Sequence, residues 1–285
     1  GGIVICLRDN NQKFGAITQF SQFPELNSIA LKIKEVDGFV GLNTIMYPYS
    51  TYSFTDALFD DNPDIRIVDK NDKNDKVGFH VLSNNRIITT NIFDLLPDLF
   101  TDTKTNEDDV KIFGRQNGQR TYKYINKKYI DTAENYDKYK VIIPASNGSG
   151  AIGEVLSTPL VGVPLVGVPL VGYSQSFLGI GSFDTEAESN ALLKYVCTKF
   201  ARTALGIIKI TQHNPPEKWI YVPIQDFTEK SDIDWSQSIT EIDQQLYRKY
   251  GLTQKEIDFI ESKVKSMDDE VVLTFFEQFK SMEDY

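Results

Sequence analysis

The chain's 285 residues carry 30 Lys and Arg against 40 Asp and Glu, a formal net charge of -10, and 41% of them are hydrophobic, enough for one large core or two smaller ones. Two cysteines, Cys6 and Cys197, exclude a small disulfide-framed fold, and two histidines, His80 and His213, are too few and too far apart for a metal site of known spacing. The longest apolar run, residues 159–172, is too short for a bilayer and is broken by prolines and glycines, so no membrane span is expected.

Gly1 and Gly2 lead directly into the strand-like Ile3-Val4-Ile5-Cys6-Leu7, with no initiator Met and no leader pattern, so the chain reads as a piece of something longer. Residues 3–20 form a predicted β-hairpin around Asp9-Asn10-Asn11-Gln12. Residues 24–36 place Leu26, Ile29, Ala30 and Ile33 on one face of a short helix that Gly38 stops. From residue 39 to 181 short strands alternate with turn clusters at Asp60-Asp61-Asn62-Pro63, residues 69–76, Asn84-Asn85 and Gln116-Asn117-Gly118. Asn117-Gly118 suits a tight hairpin because both residues tolerate positive φ.

Pro159, Pro164 and Pro169 open three copies of a Pro-Leu-Val-Gly repeat. A five-residue period fits neither helix nor regular strand, and Pro removes a ladder donor, so the segment reads as an extended loop or edge lengthened by duplication. Helices then take over. One long helix opens at Asp184-Thr185, with Glu188 at capping-box spacing, and buries Leu192, Leu193, Val196, Phe200 and Leu205; Cys197 lies on its apolar side as a buried free thiol. After a linker over residues 211–235, Ser238 with Glu241 opens a second helix that Gly251 ends, and Thr253 with Glu256 opens a third. Val272, Phe275, Phe276 and Phe279 mark a last amphipathic segment. The acid concentrates here: residues 226–285 hold fifteen Asp and Glu against seven Lys and Arg.

The opposite imbalance lies earlier. Between Lys111 and Lys140 eight Lys and Arg meet three Asp and Glu, interleaved with tyrosines. Positive charge beside planar side chains is what a phosphate backbone and its bases require, although the same composition also describes a solvated hairpin face. As a DNA-binding surface, Lys111, Lys123, Lys127 and Lys128 would contact phosphates, and Asn147, Gly148 and Ser149 would offer backbone N–H groups to another. Arg115, Gln116, Asn117 and Arg120, at the hairpin tip, have the fork and amide geometries that pair with guanine and adenine edges.

Several fragments imitate catalytic motifs. Phe177-Leu178-Gly179-Ile180-Gly181 matches a methyl-donor cofactor loop, and His213-Asn214-Pro215-Pro216-Glu217 approaches the Asn-Pro-Pro-aromatic motif of amino-group DNA methyltransferases. Glu217 stands where an aromatic must stack the flipped base. The thirty or so residues between the motifs hold one helix and no strand series for a cofactor sheet. Glu261-Ser262-Lys263 imitates a nuclease motif but falls on a helix without a Pro-Asp partner. No catalytic and no metal-binding residue is therefore assigned.

The opening Gly1-Gly2-Ile3-Val4-Ile5-Cys6-Leu7-Arg8-Asp9 resembles the late strand of the catalytic domain in bacterial adenine-specific DNA methyltransferases of restriction-modification systems. Lys111-Ile112-Phe113-Gly114-Arg115, the segments at residues 140–150, 198–202 and 219–227, Ser231 to Ser236 and Ile242 to Tyr247 resemble the target-recognition region of that family, including its bifunctional type II restriction enzymes. The resemblance covers most of the chain and is densest over residues 111–265. It implies an α+β fold: a twisted mixed β-sheet target-recognition domain with a long helix, followed by a small C-terminal helical bundle. Residues 1–38 would be the hairpin and helix closing a methyltransferase domain, 39–227 the recognition domain and 228–285 the acidic helical region. The implied partners are double-stranded DNA and the parent's N-terminal methyltransferase domain, in the bacterial cytoplasm. S-adenosylmethionine would serve the parent, and this fragment would need no cofactor. Two rival classes stay open: a self-contained nuclease or methyltransferase, and a protein-interaction module of a restriction-modification complex that makes no contact with DNA.

Overall fold

In the computed structural model, residues 10–11, 23–67, 81–82, 86–146, 165–209 and 211–267 are described. The expected opening hairpin, apart from Asn10 and Asn11, and the last amphipathic segment lie outside them, as do the turns at 69–76 and Asn84-Asn85, Cys6, His80 and the expected phosphate loop Asn147-Gly148-Ser149.

The fold is mixed α+β. Helix α1 (Pro24–Glu35) starts with proline at its first position, where the missing N–H costs nothing, and buries Leu26, Ile29, Ala30 and Ile33 as its periodicity predicts. Strands β1 (Met46–Tyr47) and β2 (Ser53–Phe54), helix α2 (Asp56–Asp61), the short strands β3 (Arg66–Ile67) and β4 (Val81–Leu82) and helix α3 (Ile92–Leu95) lead to a hairpin. Its strands are β5 (Asp109–Gln116) and β6 (Gln119–Asn126), joined at Asn117 and Gly118, both in the left-handed region with φ of 50° and 77°. A two-residue turn of this kind matches the twist of the strands it joins, which is why Asn-Gly marks it in sequence. Strands β7 (Ile130–Asp131), β8 (Tyr139–Pro144), β9 (Leu165–Gly167), β10 (Val171–Tyr173) and β11 (Phe177–Phe183) follow. The strands build a four-stranded sheet, β1-β11-β8-β9, antiparallel throughout, a three-stranded sheet, β10-β5-β6, in which β10 runs parallel to β5, and two short pairs, β2 with β7 and β3 with β4.

Strands β8 and β11 are buried on both faces, so neighbouring side chains feed two cores. Val141, Ile143, Leu178 and Ile180 join a core shared with α1 and the C-terminal helices. Ile142 and Phe177 join a second with Phe93, Ile112, Phe113 and Tyr173.

The proline repeat has a structural outcome that its period conceals. Its second copy supplies β9 to the four-stranded sheet, and its third supplies β10 to the three-stranded one. The glycines of these two copies sit where a side chain has no room: a Cβ on Gly167 would lie 2.7 Å from the Ile142 side chain, and one on Gly172 would lie 2.9 Å from that of Ile112. Between the strands Leu170 takes φ of 66° and donates its N–H to Tyr136 O.

One expectation needs correction. The long helix is two helices, α4 (Glu186–Cys197) and α5 (Lys199–Gly206), and Phe200 and Leu205 belong to the second. Thr198 breaks the helix in extended conformation, φ -60° and ψ 151°, and its hydroxyl accepts from Ala201 N. The next orphan amides, Lys199 N and Phe200 N, donate at 2.9 and 2.8 Å to the carboxylate of Asp243. A residue 44 positions away therefore completes a cap that the local apolar periodicity hides.

Asp243 belongs to α6 (Ile239–Lys249), which is followed by α7 (Gln254–Lys263). Complete capping boxes open α4, α6 and α7 at Thr185/Glu188, Ser238/Glu241 and Thr253/Glu256, as their spacing predicts. Glu256 does more than cap: it accepts from Ser28 Oγ and Lys32 Nζ, each at 2.6 Å, and so ties α7 to α1. The first core thus runs from residue 26 to residue 267, across both expected domain boundaries.

Candidate nucleic-acid interface

Alternation along the hairpin sorts the expected site residues onto two faces. Cross-strand pairs Lys111/Tyr124, Phe113/Tyr122 and Arg115/Arg120 share one face; Ile112/Lys123, Gly114/Thr121 and Gln116/Gln119 share the other. Arg115 and Gln116, both expected to read bases, therefore point in opposite directions, with Asn117 exposed in the turn between them.

The first face is a cation–aromatic platform. Lys111 Nζ stands 5.0 Å from the Tyr122 ring and 5.6 Å from that of Tyr124. Phe113 packs 4.9 Å from Tyr122 and 4.4 Å from Phe177, a residue of β11. Arg115 and Arg120 place their guanidinium carbons 5.9 and 5.6 Å from the centre of that same Phe177 ring. Like charges directly opposite on a hairpin repel, and a shared ring face offsets part of that cost by about 0.5–2 kcal/mol per contact. Arg115 also donates to Gly118 O at 3.1 Å, which holds its side chain back along the turn. Burial, and then the facing charge of Arg115, push Arg120 down to about 10.

The other basic residues of the run divide sharply. Lys123, expected at a phosphate, is 5% exposed and its ammonium is 2.5 Å from Asp102 Oδ1, on the face that packs toward Phe93. Lys128 reaches Asp61 at 2.6 Å with both partners about half exposed, a solvent-screened pairing easily exchanged for another anion. Lys127 is exposed in the single 3-10 turn Lys127–Tyr129. Lys140 adds nothing to the surface: it is fully buried, donates to Lys138 O at 2.8 Å and more distantly to Val168 O and Tyr136 O, and burial pushes it down to about 7 against the opposing effect of Asp137.

Phe177, Tyr122 and Tyr124 escape a reading based on charge alone. Tyr122 and Tyr124 could be found from the register that the Asn117-Gly118 turn fixes. Phe177 carries no such signal, because it arrives from a strand 57 to 62 positions downstream of the arginines it supports.

The catalytic look-alikes have packing roles. Phe177 to Gly181 lie within β11, where a Cβ on Gly179 would come 2.8 Å from the Tyr173 hydroxyl. Asn214 is fully buried, donates Nδ2 to Pro144 O at 3.0 Å and accepts at its backbone oxygen from the Trp219 indole. Glu261 accepts from Tyr247 Oη and pairs with Lys199. Cys197 is buried and in no disulfide. Among the described residues no three His, Cys, Asp or Glu come together to hold a metal ion, and no helix is long and apolar enough to cross a membrane. No family model, curated protein or solved structure matches this chain.

Proposed function

We propose that this chain is the DNA-recognition region of a restriction-modification adenine methyltransferase, holding duplex DNA while a catalytic domain elsewhere in the parent transfers the methyl group. In this reading the two sheets form the twisted target-recognition domain and the helices from α4 onward the body that ends in a C-terminal bundle. The observation that carries it is the platform of Lys111, Arg115 and Arg120 over Tyr122, Tyr124 and Phe177. Cations held over buried rings present fixed positive charge, and guanidinium donors, to a nucleic acid.

Mobility shifts of a random duplex across a salt series test it. With Lys111, Lys127 and Lys128 on phosphates, the log-log slope of affinity against salt is about -2.7, at about -0.9 per contact. Affinity that does not change with salt removes the electrostatic basis of the reading. The internal pairing of Lys123 with Asp102 and Lys128 with Asp61 favours a second reading, a protein-interaction module with an idle hairpin. That reading expects no shift at any salt.

A further inference from the structure

Resting on the DNA-recognition reading, we propose a second binding site beside the platform: a pocket that takes one unpaired nucleobase of the bound strand. The pocket is a 550 Å³ cavity lined by Tyr49, Thr90, Ser146, Gln175 and His213 over Leu178. Its lining differs in kind from the hairpin. Among the described residues it contains no Lys, Arg, Asp or Glu, but it combines an exposed aromatic ring, Tyr49 at 45% exposure, with hydroxyl, amide and imidazole groups. Those groups suit a planar, uncharged heterocycle with donors and acceptors on its edge.

The polar groups are held in place. Ser146 and His213 form an antiparallel backbone bridge, and Ser146 Oγ lies 2.9 Å from His213 Nδ1, which leaves the far ring nitrogen for a ligand. Gln175 is fixed by its N–H to Ile88 O at 2.8 Å, and its amide reaches Thr90 Oγ1 only at 3.5 Å, a contact weak enough to give up.

Position links the pocket to the platform. Gln175 precedes Phe177 by two residues, at most about 7 Å along the chain. Leu178, next to Phe177, points to the opposite side of β11 and lines the cavity. Ser174, next to Gln175, donates its N–H to Phe113 O at 2.9 Å, two residues from Arg115, so a strand engaged by Arg115 and Arg120 passes near the pocket.

The test compares a duplex carrying one bulged adenosine with the fully paired duplex, using the full chain and its Tyr49→Ala and Gln175→Ala variants. The native chain is expected to prefer the bulged duplex by at least about fivefold, the low end of what one base stacked on one ring contributes. Both variants lose that preference and keep their affinity for the paired duplex. Equal affinity of the native chain for the two duplexes overturns the pocket but leaves DNA recognition standing. Failure to bind either duplex overturns the recognition reading beneath it. A preference that survives both substitutions puts the unpaired base elsewhere, and free adenosine binding as tightly as the bulged duplex shows a nucleoside site independent of any strand; both outcomes overturn the proposal.

Discussion

Arg115 and Arg120 sit on one ring, yet their surroundings differ, and the difference decides what each can do for a ligand. Arg115 is tethered to Gly118 O at the turn, whereas burial and the facing charge of Arg115 push Arg120 below its ordinary value. Under the DNA-recognition reading, a guanidinium at the hairpin tip would enter a major groove and pair with guanine, and Lys127, on an exposed turn beyond the strand, would meet only backbone. Under that same reading, Arg115→Ala is expected to cost about 1–3 kcal/mol at a preferred site and to relax discrimination at one base pair. Lys127→Ala is expected to weaken binding to all sequences alike and to lower the salt slope by about one unit. Methylome sequencing and salt titrations separate the two; an unchanged motif in the Arg115 variant, with uniformly weaker binding, makes that arginine a phosphate clamp.

Among the elements, the junction of α1 with α7 gathers most of its polar contacts on one carboxylate, that of Glu256, beside a second ion pair between Lys255 and Glu25. Burial by itself raises the pKa of Glu256, but hydrogen bonds from Lys32, Ser28 and Thr253 outweigh it and hold the group at about 2. A carboxylate depressed below its ordinary value of 4.5 stabilises the fold fully above that pH, and the contribution is lost as pH falls toward 2. Glu256→Gln is therefore expected to lower the unfolding free energy by about 2 kcal/mol at pH 7, with the deficit shrinking between pH 4.5 and pH 2. Urea unfolding at pH 7 and at pH 2.5 measures both; a deficit independent of pH means the loss is one of shape and not of charge. The joint of α4 with α5 follows the opposite rule. Burial raises Asp243 to about 7 despite its bonds to Phe200 N and Lys199 N, so this group makes the fold less stable as pH rises from about 4 to 7.

For the whole molecule, the doubly buried pair β8 and β11 makes one mechanical unit of the two cores. Ile142 is fully buried in the core of the hairpin, between Val141 and Ile143 in the core of the helices. Ile142→Ala is expected to cost about 2–5 kcal/mol. Its effect is expected to reach both sides: tryptophan fluorescence, from Trp219 and Trp235 on the helical side, and hydrogen exchange of the β5 and β6 amides should lose protection together. Loss confined to the hairpin amides would mean that the two cores open independently.

The chain's local signals were sufficient where the determining contact lies within about four residues. The three capping boxes, the Asn117-Gly118 turn, the buried face of α1 and the internal position of Cys197 were all legible for that reason. So was the mixed α+β class. Tertiary structure alone decided what depends on distant partners. Asp243 splits the predicted long helix at Thr198, because a side chain from α6 can cap amides that sequence treats as mid-helix. Two copies of one repeat enter different sheets, because the room available to Gly167 and Gly172 is set by Ile142 and Ile112. Of eight basic residues in one run, Lys140 is buried, Lys123 is paired inside, and Arg115 and Arg120 rest on a ring from β11. Composition could count those charges, but only the packing of strands far apart in the chain determines which of them face solvent and a ligand.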